Sequence, residues 1–207
     1  MGKVELNKQN KRSSLLQHAY ELFVDRGFNK TTIADIAKHS GLAKGTFYLY
    51  YKDKYDLRDE LVARKSGQLI LEAQEALKAR PEPLNDFEEY LLAMIDYILN
   101  YLQRNKMLLK FITKNLSWGI FKHAVETPSA LESDNLGEIY RNYLHALENT
   151  PYQCANPEIL LFTIIELASS TGYSTILYES PCSLEEYLPH LHQSIHQILE
   201  GYRKTEG

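Results

Sequence analysis

Apolar residues return at three- and four-residue intervals along almost the whole chain, the period of helices that pack by one face. Leu15, Leu16, Ala19, Leu22 and Phe23 mark the first such face, on a helix expected from Lys8 to Gly27. Ile33, Ile36 and Ala37 mark a second, shorter one, with Thr32 as its N-cap and Asp35 three residues on as the other half of a capping-box-like pair. Gly41 is placed to end it, and a further short helix begins near Ala43–Lys44, with Phe47 and Tyr51 as core contacts. A long helix follows over Asp53 to Ala79 and is stopped by Arg80-Pro81-Glu82-Pro83. Asn85 or Asp86 caps the next, which carries Leu91, Met94, Ile95, Ile98, Leu99 and Leu102. Further helices are expected over Lys106–Lys122, Asn135–Glu148 and Glu158–Tyr178, and Ser183 with Glu186 forms a capping box for a last one running to Tyr202. No segment alternates with the period of a strand, and none repeats. The chain reads as all-α.

Two short helices joined by a tight glycine turn make a helix-turn-helix, whose second helix can enter a major groove. Here that segment is Thr31–Lys54, TTIADIAKHSGLAKGTFYLYYKDK. Its pattern, Thr-Thr-Ile-x-x-Ile-Ala followed by Ser-Gly-Leu-x-Lys-Gly-Thr-Phe-Tyr-x-Tyr-Tyr-Lys-x-Lys, resembles the DNA-binding segment of the TetR family of one-component repressors. The preceding LLQHAYELFVDRGFNKTT resembles the first helix of the same family. The resemblance implies that Lys44, Gly45, Thr46 and Leu49 face bases, and that Thr32, Tyr48, Tyr50 and Lys54 hold phosphate backbone. Ala43 departs from the family pattern, which often has Ser or Thr there, and is left out of the contacts. The resemblance is specific over about the first quarter of the chain and architectural beyond it. It divides the chain into a helix-turn-helix DNA-binding domain, 1–54, and a C-terminal helical ligand-binding and dimerisation domain, 55–207.

Charge sharpens this division. The 207-residue chain has a net charge of −4, yet residues 1–54 hold ten Lys/Arg against five Asp/Glu, a net of +5. The remainder holds 13 against 22, a net of −9. Phosphate affinity is therefore concentrated at one end. Lys8, Lys11 and Arg12 sit where they can reach phosphates or a minor groove, or simply form a solvated basic terminus. No apolar run approaches the ~20 residues of a membrane span, and the N-terminus lacks a signal core, so a cytoplasmic protein with no membrane partner is expected. Cys154 and Cys182 fit no metal pattern and read as reduced thiols.

The remaining ~150 residues need a task of their own. Helix 158–178 is apolar on more than one face, and its Ala168-Ser169-Ser170-Thr171-Gly172 run permits close helix approach. Paired with helix 184–202 across a two-fold axis, it would make a four-helix homodimer interface, as in the resembled family. Such a dimer suits double-stranded DNA with a pseudo-palindromic operator. Tyr97, Tyr101, Phe111, Asn115, Trp118 and Tyr140, with Tyr143 beside them, suggest aromatic walls for a small-molecule effector. Glu166, inside the apolar stretch FTIIELASS, is a candidate partner for such a ligand or for a structural cation or hydroxyl. Each of these aromatics taken singly also fits plain core. His192 and His196 stand at i, i+4 without a third ligand in sequence, so they read as a polar helix face or dimer rim, and no metal or cofactor is expected. No nucleophile, base and orienter occur together, so no enzyme is expected. The expectation is a DNA-binding transcriptional regulator, a repressor released from its operator by a small molecule. The alternative is a helix-turn-helix protein controlled by a protein partner or organising DNA, without an inducer.

Overall fold

The computed structural model of the chain describes residues 2–84, 86–115, 136–148, 150–152 and 154–202, without the side chains of 113–115 and 136. Among them are nine helices: α1 Lys3–Arg26, α2 Ile33–His39, α3 Lys44–Phe47, α4 Lys54–Lys78, α5 Phe87–Arg104, α6 Lys106–Asn115, α7 Leu136–Glu148, α8 Pro157–Tyr178 and α9 Leu184–Glu200. The N-terminal three form around the buried face of α1. Leu15, Leu16, Ala19, Leu22 and Phe23 are all buried, as are Ile36, Ala37, Phe47 and Tyr51 opposite them.

Local chemistry sets the corners. The Thr32 hydroxyl accepts from the Asp35 amide, and the Asp35 carboxylate accepts from the Thr32 amide, so the capping box at α2 is complete. Gly41 takes φ 68°, and its amide donates to Lys38 while that of Leu42 donates to Ala37. That pair of bonds closes the orphan carbonyls of α2 and turns the chain sharply enough to start α3. Asp53 caps α4, its Oδ1 accepting from the amides of Tyr55 and Asp56. Asp86 caps α5 in the same way. Asn85, the other candidate for that cap, lies outside the described residues.

The core is continuous across the position where charge divides the chain. One buried cluster runs from Leu15 through Phe47, Leu57 and Leu61 to Leu109, Ile164, Leu191 and Leu199. Two polar and aromatic links reinforce it. Glu60 on α4 accepts from Arg12 on α1 at 2.6 Å and from Arg64 at 2.8 Å. Phe111 on α6 sits between Tyr20 and Phe23 of α1, edge-on to the first (5.3 Å) and stacked on the second (6.3 Å).

Three features differ from the sequence reading. α1 begins at Lys3, five residues earlier than expected, and Val4 and Leu6 on its first turns are exposed. α3 is a single turn of four residues, because Ala43 offers no side-chain cap and residues 48–50 continue as turns. α8, at 22 residues, is long and apolar enough by length and composition to cross a membrane, which corrects the statement that no run approaches that length. Within the protomer it lies as a core helix, burying Leu160, Ile164, Ala168, Gly172, Thr175 and Ile176. Its small residues serve that packing, since a Cβ on Gly172 would lie 2.5 Å from Cδ2 of Leu99 on α5. Approach this close is open only to glycine.

Candidate functional site

The outward face of the helix-turn-helix is set by what it buries. Phe47 and Tyr51 point inward, packed on one another at 5.7 Å between ring centroids. That leaves Lys44, Gly45 and Tyr48 exposed and Thr46 and Tyr50 half-buried, while Leu49 is 76% exposed. A leucine this exposed buries little of its apolar surface within the chain. Lys8 and Lys11 are also exposed, whereas Arg12 is turned inward to Glu60 and to the hydroxyl of Tyr51. Burial pushes the Tyr51 phenol up, so it stays a neutral partner.

Two of the residues matched to phosphate contacts are occupied by the protein itself. The Thr32 hydroxyl donates to Asp35 Oδ2 at 2.6 Å while accepting from the Asp35 amide at 3.1 Å. These bonds hold the Asp35 carboxyl below the usual carboxylate range. The Lys54 ammonium donates to the carbonyls of Phe28 and Thr31, each at 2.8 Å, and lies 4.4 Å from the Phe28 ring centroid. Lys54 therefore pins the α1–α2 loop to the start of α4. The sequence pattern contained no sign of this, because both acceptors are backbone carbonyls more than twenty residues away.

The C-terminal body contains a cavity of about 1410 Å³, above the common 300–1,000 Å³ range for small-molecule sites. α4, α5, α6, α7 and α8 line it, mainly with Leu, Ile, Met and aromatic side chains. Of the seven expected ligand residues, Tyr140 and Glu166 line this cavity. Tyr140 stacks on Tyr143 at 6.2 Å, and burial pushes the Tyr143 phenol up while its hydroxyl donates to the Pro157 carbonyl. Glu166 is exposed at the rim in the protomer, so the cost expected from its apolar surroundings in sequence is not incurred there. Tyr97 and Tyr101 stack on each other (6.4 Å) but line a separate groove of about 690 Å³ with Arg80, Arg104 and His192. Phe111 faces α1. Asn115 ends α6, and its side chain, like Trp118, lies outside the described residues.

Sequence reasoning missed Leu69 and Ile70 of α4, Ile164 and Ile165 of α8, and Tyr152 from the loop before α8, all of which line the cavity. It also missed Ser66, which lines the cavity with its hydroxyl buried and without a hydrogen-bond partner among the described residues. A serine in the middle of a long apolar helical face was the available signal. His192 and His196 each meet a carboxylate of α5: Nε2 of His192 lies 2.6 Å from Asp96, and Nδ1 of His196 lies 2.8 Å from Glu88.

Residues 15–61 match the profile of the bacterial regulatory proteins of the tetR family. The chain is 34% identical over 73 residues to the fatty acid metabolism regulator protein of Bacillus subtilis, covering 35% of this chain and 38% of that one. It is 27% identical over 97 residues to the transcriptional repressor BepR of Brucella suis, 46% of each. The matched segments thus span less than half the length of these relatives. Among solved structures, RolR in complex with resorcinol superposes with a TM-score of 0.66 at 14% identity, over 95% of this chain and 94% of that one. At that identity the likeness concerns the fold.

Proposed function

We propose that this chain is a member of the TetR family of bacterial regulatory proteins and acts as a DNA-binding transcriptional repressor released by a small molecule held in the C-terminal cavity. The observation that carries the reading is a pair of helices shared by the two ends of the molecule. α4 begins beside the exposed 44–50 segment and lines the cavity with Ser66, Leu69 and Ile70. α6 turns Leu109 and Ile112 to the cavity and Phe111 to α1. A ligand that fits better when either helix is displaced would move the DNA-contacting helices, and one that binds both arrangements equally would do nothing.

On this reading Lys44, Gly45, Thr46 and Leu49 meet bases, with Tyr48 and Tyr50 on phosphate. Thr32 and Lys54 act indirectly, by fixing α2 and the loop before it. The division at 54/55 is one of task, reading before it and sensing after it. The protein works as a cytoplasmic homodimer on a two-fold operator, joined through α8 and α9. The apolar side chains that α8 leaves outside, Ile159, Phe162 and Tyr178, suit that cover. The ligand is a largely apolar molecule with one hydrogen-bonding end for Ser66, held in the cavity that Tyr140 and Glu166 also line. The relatives' names supply two classes to try first, fatty acids and small phenols.

The test selects bound sequences from a random duplex pool at two salt concentrations, then titrates fatty acids and phenols against the selected DNA. A two-fold-symmetric site whose complex is dissociated by one class is the expected result. Binding that is sequence-blind and salt-sensitive would overturn the repressor reading.

A further inference from the structure

We propose that Glu88, His196 and Glu200 form a divalent-cation site that ties α5 to α9. One donor atom from each of the three lies within 4.8 Å of the other two. His196 and Glu200 are four residues apart on α9, so they stand one above the other on a single face. Glu88, in the first turn of α5, reaches across the seam between the helices.

The site is organised by its surroundings. The Glu88 side chain is 18% exposed, and its Oε2 accepts from the hydroxyl of the buried Tyr152 at 2.9 Å. That bond aims Oε1 at His196. Outer hydrogen bonds of this kind orient metal-ligating carboxylates and set their basicity. One turn earlier on α9, His192 meets Asp96 at 2.6 Å, a separate contact between the same two helices. A divalent cation would bring two positive charges to the two carboxylates and take the imidazole as a neutral ligand.

One imidazole nitrogen and two carboxylate oxygens suit Zn²⁺, with water completing a tetrahedron. Donors about 2.0–2.2 Å from zinc stand about 3.4 Å apart, so the His196–Glu88 pair, 2.8 Å apart, opens by roughly half an ångström to admit the ion. Glu88 and Tyr152 also line the large cavity, which puts the ion directly behind its wall. Zinc there would brace α5 against α9 and stiffen that wall. The site rests on side-chain geometry alone and stands whether or not the chain represses transcription.

The experiment titrates the full-length, chelator-stripped protein with ZnCl₂ in competition with a chromophoric chelator at pH 7, and records thermal unfolding with and without zinc. One ion per chain is expected, with affinity lowered at least tenfold in H196Q and in E200Q. Glu200 is the last residue of α9, and circular dichroism of E200Q checks that the fold is kept. Zinc should raise the unfolding midpoint of the native chain and not that of E200Q. H192Q, whose imidazole pairs with Asp96 instead, should bind zinc within twofold of the native protein. Undiminished zinc affinity in both H196Q and E200Q would overturn the proposal, as would no zinc binding by the native chain. An equal loss in H192Q would do the same.

Discussion

Single side chains on the outer surface of the helix-turn-helix divide into those that point out and those the fold has claimed. Lys44 is free of the protein's own bonds among the described residues, while Lys54 donates to two backbone carbonyls. The two lysines should therefore answer mutation differently. Lys44→Ala should weaken operator binding and relax sequence preference at the base pair it meets, the signature of a lost base contact. Lys54→Met should leave the slope of log affinity against log salt unchanged and cost about 1–2 kcal/mol of stability, since it removes two charge-assisted bonds from a half-buried site. Urea unfolding beside salt-dependent binding to operator variants distinguishes them, and a reduced slope in Lys54→Met would return that lysine to the phosphate backbone. Both lysines were visible in the motif. Only the bonds at 2.8 Å separate their roles.

In the proposed mechanism, helices carry the communication between the two ends. α6 is ten residues long, and adjacent positions on it face different neighbours: Phe111 meets Tyr20 and Phe23, and Leu109 and Ile112 meet the cavity. Phe111→Leu should keep the fold at a cost of about 1–2 kcal/mol, because volume is partly retained. It should also cut the ratio of DNA affinities with and without ligand severalfold, measured as a coupling by titrating DNA at zero and saturating ligand. An unchanged ratio would remove α6 from the route. The α5–α8 contact makes a separate demand. Gly172→Ala brings a Cβ to 2.5 Å from Leu99, itself 3% exposed, so a packed leucine must shift. A loss of about 1–3 kcal/mol in denaturant unfolding is expected.

At the scale of the molecule, the buried phenols tie stability to pH. Burial raises both Tyr51, in the helix-turn-helix, and Tyr143, in the body, above the ordinary phenol value near 10. A folded-state pKa above the unfolded one means that folding favours the protonated phenol. This contribution is complete below about pH 10 and is lost as pH rises from there toward the folded values. Unfolding free energy should fall steeply above pH 10, with the ionisation of these two tyrosines, followed by phenolate absorbance, delayed until the transition itself. Early, non-cooperative titration of all the described tyrosines would contradict it. Because a single core runs from Leu15 to Leu199, the helix-turn-helix and the body should unfold together.

What the sequence determined by itself was local: helical period, caps and turns are written within a few residues of one another. The Thr32–Asp35 and Ser183–Glu186 boxes, the turn at Gly41 and the inward Phe47 and Tyr51 were all legible for that reason. The motif that carries the family likeness is equally local, and it lies within the matched residues 15–61. What the tertiary structure alone decided depends on which faces meet. Period identifies a buried face but not its partner, so Phe111 looked like a cavity wall and instead locks α6 to α1. Tyr97 and Tyr101 share a face, but that face looks onto a groove on the other side of α5. His196 of α9 had no partner legible in sequence because Glu88, more than a hundred residues earlier, comes beside it only when α5 packs on α9. Side-chain chemistry spread over distant helices becomes a site only through their packing, and one chain's hydrophobic pattern is compatible with several packings.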